Sequence, residues 1–376
     1  MIRILVTGDY SPRNRVSKLV EKDEWETVLY EVKELTEQMD YSITNFESAV
    51  IDEYDRPIAK CGPCLHCSEK AVKALSWAGF NMVTLANNHF FDYGQTSVEK
   101  SISAFQCNHL DYVGGGESLL EAIETFYKTI NCKTFAFINC CEHEFSIATS
   151  DHGGCNPLDP IQQYYKIKEA KEKADYCIVI VHGGHEQIQL PSLRMKETYR
   201  FFIDAGADAV INHHQHCYSG YEIYKGKPIF YGIGNFCFDA GICQLNGWHE
   251  GYAVELQFED DNIGIVLHPY IQCREIPAVL FAKDNKEFDE HIFRLNQIIA
   301  NERELKRTLE KLYKVTQKDY ISIFEPYRNR WLFAAWYRNM LPSFFKGMKC
   351  FRAYNYVSCE SHLDRLRYVI SMLLKK

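Results

Sequence analysis

No window of this 376-residue sequence reaches the roughly 18 uncharged apolar residues that a bilayer-spanning helix needs. The densest apolar stretch, WLFAAWY from Trp331, is closed off by Arg338, and the opening MIRILVTGDY has an apolar run too short for a signal-peptide core. An excess of positive charge is missing as well: the net charge of −8 argues against nucleic acid as a partner. Internal repeats and low-complexity segments are absent. The glycines at 114–116 lack both the G-x-G-x-x-G spacing and the downstream acidic residue of a nucleotide cradle, so they read as a loop. Together these absences lead us to expect a soluble, cytoplasmic protein whose fifteen cysteines are mostly free thiols in a reducing compartment.

What is present is a folded chain, with 46% hydrophobic and 14% aromatic residues. The length allows one large domain with an addition, or two of medium size. IRILVTG, SITNFES, NMVTLANNH, KTFAFINC, YCIVIVHGGHE and ADAVINHHQH read as strands. Helical periods over 21–39, 68–79, 96–105, 161–174 and 192–206 lie among them, the last closed by Gly206. This alternation predicts an α/β fold with a largely parallel layer. After about residue 280 the pattern changes to long helical periods, which divides the chain into 1–280 and a C-terminal extension, 281–376. From Tyr327 onward the extension carries ten Lys or Arg against Glu360 and Asp364, leaving the remainder of the chain at −16. Such a basic, aromatic tail can pack on the domain, lie against an anionic membrane surface, or hold an anionic polymer.

Several strands end in residues that bind metal ions or transfer protons: Asp9, Glu47, Asn87-Asn88-His89, His182, and His214-x-His216. The carboxyl ends of strands are where sites assemble in open α/β sheets. One histidine there would carry little weight, but five strands delivering Asp, Glu, Asn or His point to a metal or catalytic centre.

GD at 8–9, NFE at 45–47, LANNHFFDYG at 85–94, HGGHE at 182–186 and the long run at 206–239 occur in one order. In these motifs residues 2–275 resemble the CapA family of bacterial capsule and poly-γ-glutamate synthesis proteins. That family is similar to calcineurin-like metallophosphoesterases, so the resemblance implies a two-sheet β-sandwich core flanked by helices, followed by a C-terminal helical appendage. It also implies metal ligands at Asp9, Glu47, Asn88, His182, His214 and His216, a catalytic role facing substrate for His89, and supporting roles for Asn87, Glu186 and Asn235. The expected cofactor is one or two divalent ions, Mn, Fe or Zn, since carboxylate, amide and imidazole donors suit these. Phosphoesterases carry Asp-x-His at the first strand, whereas this chain reads Asp9-Tyr10-Ser11, with one imidazole fewer.

The implied function is metal-assisted hydrolysis or transfer at a phosphoester or a γ-glutamyl amide, in making or processing a capsular or other envelope polymer. A non-catalytic assembly or polymer-binding protein and a cytoplasmic phosphodiesterase are the alternatives. The expected partner is an anionic polymer or phosphoester, with peripheral contact at the inner membrane face through the tail.

KCGPCLHC at 60–67 has cysteine spacing that suits an iron–sulfur cluster. No second Cys-x-x-Cys completes a zinc ribbon, and a fourth iron–sulfur ligand would have to be an isolated residue such as Cys107 or Cys155. The family resemblance implies a Gly-Pro-containing link here, which Gly62-Pro63 fits, so Cys61, Cys64 and Cys67 read as packing or loop thiols, with a bound cluster or redox role as the less favoured alternative.

Overall fold

A computed structural model describes residues 1–240, 247–260, 262–316, 320, 330–338, 340–342 and 346–374. Parts of the basic tail, 321–329, 343–345 and 375–376, lie outside the described residues. Two sheets face one another. The larger runs in the order Val279–Phe281, Asn262–Gln272, Glu250–Glu259, Ile2–Ser11, Tyr41–Phe46, Met82–Thr84, Asp111–Val113, and Asn235–Phe238 also pairs with Ile2–Ser11. The smaller has the order Tyr221–Tyr224, Lys227–Phe230, Ala209–His213, Tyr176–His182, Lys133–Cys141, Phe126–Ile130.

The sequence pattern explains these layers. Ile4 and Val6 of the first strand point into the cluster between the sheets, beside Phe135, Phe137, Ile178 and Ile180. Leu5 and Tyr10 point the other way, against helices Trp25–Thr36, Lys70–Trp77 and Gln95–Cys107. Every residue of Tyr176–His182 is buried, as expected of a parallel strand covered on both faces. Helices Pro160–Lys173 and Leu193–Ala205 place Ile167, Tyr199 and Phe202 in the same cluster as that strand. The Ser192 hydroxyl accepts from the Met195 N–H at the start of the second of these, and Gly206 ends it at φ 126°.

The two-sheet sandwich flanked by helices is the architecture that the motif resemblance implied. The strand–helix alternation alone had implied a largely parallel layer, and this is corrected. Half of the large sheet is antiparallel, because Glu250–Glu259, Asn262–Gln272 and Val279–Phe281 join it without intervening helices. The division expected at 280/281 lies inside strand Val279–Phe281, ahead of helix Lys286–Ala300. Helices Lys286–Ala300 and Glu302–Val315 bury Leu295, Ile299, Leu305 and Leu309 in the cluster of the sandwich itself. Helices Met348–Ser358 and Glu360–Leu374 follow. Among the described residues no helix is long and apolar enough to cross a membrane.

The first strand is pinned to its antiparallel neighbour by Glu255, which accepts from Arg3 Nε at 2.7 Å and Gln257 Nε2 at 2.7 Å and pairs with His268 Nε2 at 2.8 Å. Burial works against ionisation of Glu255, but these donors outweigh it and hold the carboxyl at about 2. A carboxyl lowered on folding contributes stability in full above its unfolded value of about 4.3 and loses it as the pH falls toward the folded value. In urea unfolding, the advantage of the wild type over Glu255→Gln is therefore expected to be constant from neutral pH down to about 5 and to shrink below that. An advantage unchanged at pH 3 would contradict this.

Candidate metal centre

Asp9 sits where the first strand is irregular on both sides. Its pairing with Tyr41–Phe46 shifts register between Thr7 and Asp9, and that with Asn235–Phe238 shifts between Asp9 and Tyr10. Such irregularities re-aim a side chain. The preceding residue must be glycine, since a Cβ on Gly8 would lie 1.9 Å from the Gly234 carbonyl oxygen. Glu47 follows Tyr41–Phe46 directly, and His182 ends Tyr176–His182. His214 and His216 follow Ala209–His213 with φ of 87° and 55°, a left-handed backbone uncommon for histidine and concentrated at functional sites.

Two buried asparagines of the smaller sheet hold these loops. Asn212 Nδ2 donates to the carbonyls of Gly183, His213 and Tyr231 at 2.8, 2.8 and 3.0 Å, and its Oδ1 accepts from the Tyr199 hydroxyl. Asn139 Oδ1 accepts from the Leu85 and Ala86 N–H groups at 3.1 and 2.7 Å, which fixes the turn leading to Asn88. Each amide offers its hydrogen-bonding capacity to main-chain groups that would otherwise be buried unpaired.

The expected ligands converge. His182 Nε2 lies 3.0 Å from Asn88 Oδ1 and 3.0 Å from His214 Nδ1. His182, His216 and His89 each place Nε2 at 3.8–3.9 Å from Glu47 Oε1. His216 Nδ1 is 3.8 Å from Asp9 Oδ2, and His182 Nδ1 is 4.0 Å from Asp9 Oδ1. Of the supporting residues, Asn235 Oδ1 meets His216 Nδ1 at 2.9 Å, and Asn87 Oδ1 accepts from the His89 N–H at 3.0 Å. Glu186, the third of the expected supporting residues, is exposed.

Glu47 tests whether these residues fit a cation. It is completely buried, and neither carboxylate oxygen has a hydrogen-bond partner. Burial, then the neighbouring Asp9, pushes its pKa well above the ordinary carboxyl value. Leaving a buried acceptor pair unsatisfied is costly. Two groups of ligand atoms share this residue: Glu47 with His182 and His214, and Asp9 with Glu47 and His216, each within 4.8 Å. The donors are oxygen and nitrogen with no thiolate, which fits Mn, Fe or Zn. The residues present therefore fit a divalent cation held in part by the Glu47 carboxylate.

His89 is held from behind. Its Nδ1 meets Asp92 Oδ2 at 2.6 Å, and Lys60 pairs with the other Asp92 oxygen. Burial, reinforced by Lys60, pushes the His89 pKa down to about 4, so the ring is neutral near pH 7. Asp92 also accepts from the Leu65 N–H at 2.7 Å, so one carboxylate fixes that link and orients His89. Lys60 carries no signal in the sequence beside the cysteines of KCGPCLHC, because its contacts to Asp92 and His89 are made across about thirty residues of chain. Cys61 and Cys64 are partly exposed, Cys67 is buried, and none of the three joins a metal-type cluster among the described residues. Asn45 was missed as well. Its Nδ2 donates to Asp9 Oδ1 at 2.7 Å and lies 3.3 Å from His182 Nδ1, and its position inside NFE was the available signal.

The family described as bacterial capsule synthesis protein PGA_cap matches residues 3–240, a span that includes every strand-end residue named above. The chain belongs to this family. It is 33% identical over 248 residues to the capsule biosynthesis protein CapA of Bacillus anthracis, covering 64% of this chain and 60% of that protein. It is 33% identical over 238 residues to the PGA biosynthesis protein CapA of Bacillus subtilis, covering 62% of each. The chain thus spans about three-fifths of the length of these two relatives. Among solved structures it is similar to the calcineurin-like phosphoesterase YfkN from Bacillus subtilis, with a TM-score of 0.42 and 12% identity over 81% of this chain and 98% of that one.

If Glu47 is the shared ligand, saturating Mn or Zn stabilises the wild type by about 2.7 kcal/mol at a hundredfold excess over Kd. Glu47→Gln should gain much less, and metal-free it should be at least as stable as the wild type, because the buried ionisable group is gone. Equal stabilisation of both proteins, measured by thermal or urea unfolding with and without metal, would contradict the assignment.

Proposed function

We propose that this PGA_cap-family protein is a metal-dependent hydrolase acting on a phosphoester, or on a γ-glutamyl amide, in the production or processing of a capsular polymer such as poly-γ-glutamate. The observation that carries this reading is the unpartnered Glu47 carboxylate among Asp9, His182, His214 and His216, with His89 aimed at the same point. When bound, one or two divalent cations would supply charge neutralisation at the substrate oxygens and a water of lowered pKa. Asp9, Glu47, Asn88, His182, His214 and His216 are the residues that would hold them.

The remaining chemistry belongs to the chain. Asp92 engages His89 Nδ1, so Nε2 is the nitrogen directed toward Glu47 and the substrate. A neutral ring in that orientation accepts a proton at Nε2 and returns it to the departing oxygen or nitrogen. Lys60 offsets the Asp92 charge, so the pair orients the ring without leaving a net charge buried behind it. Asn88 reaches His182 with its side chain while its carbonyl accepts from Lys60 at 3.3 Å, tying the ligand cluster to the His89 support. An anionic polymer, engaged in part by the basic C-terminal segment, is the substrate class that the family and the charge distribution favour.

The test is turnover of p-nitrophenyl phosphate, bis-p-nitrophenyl phosphate and γ-glutamyl-p-nitroanilide with added Mn. His89→Ala is expected to lower kcat by about 10²–10⁴ while bound metal is retained. His214→Ala should lower metal content and activity together. The reading fails if no substrate is turned over with any metal, or if His89→Ala leaves the rate unchanged.

A further inference from the structure

A second group of metal-type ligands lies beside the first and joins two distant parts of the chain. Glu144, in the loop after strand Lys133–Cys141, meets Cys359 and His362, which flank the start of helix Glu360–Leu374. One ligand atom from each lies within 4.8 Å of the other two. The Cys359 thiol is 3.9 Å from Glu144 Oε1, and that oxygen is 3.7 Å from His214 Nε2. Among the described residues the Glu144 side-chain oxygens receive no hydrogen bond from a Lys, an Arg or a main-chain N–H.

The surroundings hold these three side chains in place. Glu142 accepts from the Ser361 N–H at 3.2 Å and the Ser361 hydroxyl at 2.9 Å. Arg194 spans Glu142 at 2.5 Å and Asp364 at 2.8 Å. The Glu360 carboxylate accepts from the His143 N–H at 2.9 Å. These contacts set the first turn of the last helix against the loop and, among the described residues, leave Glu144 without a Lys or Arg partner. The His362 Nδ1 is 2.6 Å from the Tyr320 hydroxyl, so Nε2 is the nitrogen free to bind. Engaging one ring nitrogen to orient the other is how imidazole ligands are commonly presented to metals.

We propose that Glu144, Cys359 and His362 form an accessory zinc-type site that fastens the C-terminal helices to the rim of the main centre. One thiolate, one imidazole and one carboxylate are a donor set that selects zinc over harder cations. Tetrahedral ligands at 2.0–2.3 Å from zinc stand about 3.3–3.8 Å apart, so a small inward movement of these side chains closes the set. Three protein ligands leave a fourth position for water or for a group of the substrate. On binding, the metal takes the place of the thiol proton, which is released to solvent, with no change of oxidation state. The site requires no activity from the neighbouring centre.

Cobalt tests it, because the main centre has no thiolate and a Co–thiolate charge-transfer band can arise only where a cysteine is a ligand. Wild-type protein loaded with Co(II) is expected to show this near-ultraviolet band. Cys359→Ser and His362→Ala should each lose it and bind one zinc fewer per chain, while Glu47→Gln and the double variant Cys61→Ser/Cys64→Ser should retain it. Absence of the band from the wild type would overturn the proposal, as would its persistence in Cys359→Ser or its loss in Cys61→Ser/Cys64→Ser.

Discussion

The Glu47 carboxylate, buried with neither oxygen hydrogen-bonded, sets the terms for every residue around it. An ionised carboxylate in such a place costs several kcal/mol unless cations or donors compensate it. No Lys or Arg among the described residues makes a salt bridge to it; the imidazoles of His89, His182 and His216 stand 3.8–3.9 Å away, and Asp9 adds a neighbouring like charge. That distance is too long for hydrogen bonds and suited to ligands gathered about a shared ion. The left-handed backbones of His214 and His216 and the irregular pairing at Asp9 are local departures from ideal geometry that serve this convergence.

The scaffold tolerates such a centre because its support comes from elsewhere. The strands of the smaller sheet that deliver the histidines are apolar through their middles and polar at their ends. Ile178 to Val181 are fully buried immediately before His182, and Ala209 to Ile211 before Asn212 and His213. Burial of such runs supplies the stabilisation that the polar edge lacks. Asn139 and Asn212 then convert rigid strands into rigid loops through complete hydrogen bonding, so that side chains from several strands meet within ångströms.

Much of this was legible in the sequence. Asp9, Glu47, Asn88, His182, His214 and His216 each stand at the end of an apolar strand, where a polar residue has no packing reason to be, and the motif order indicated a two-sheet core. Other features left no periodic trace. The antiparallel strands at 250–281 follow one another without helices, so the alternation that revealed the parallel half is silent there. Asn139 looks like one polar interruption in a strand, and its role depends on main-chain groups more than fifty residues away. Cys359 contacts Glu142 across 217 residues of chain, a separation over which spacing carries no information. In KCGPCLHC the cysteines stood out, whereas the residue that reaches the centre is Lys60, through Asp92 and His89.

Anomalous diffraction at the metal absorption edge, from crystals of protein loaded with Mn or Zn, tests the central claim most directly. The expected result is anomalous density within coordinating distance of a Glu47 oxygen, on the side of His182 and His214, on the side of Asp9 and His216, or on both. A Glu47 carboxyl with no anomalous density beside it at saturating metal, its charge removed by protonation instead, would contradict the claim.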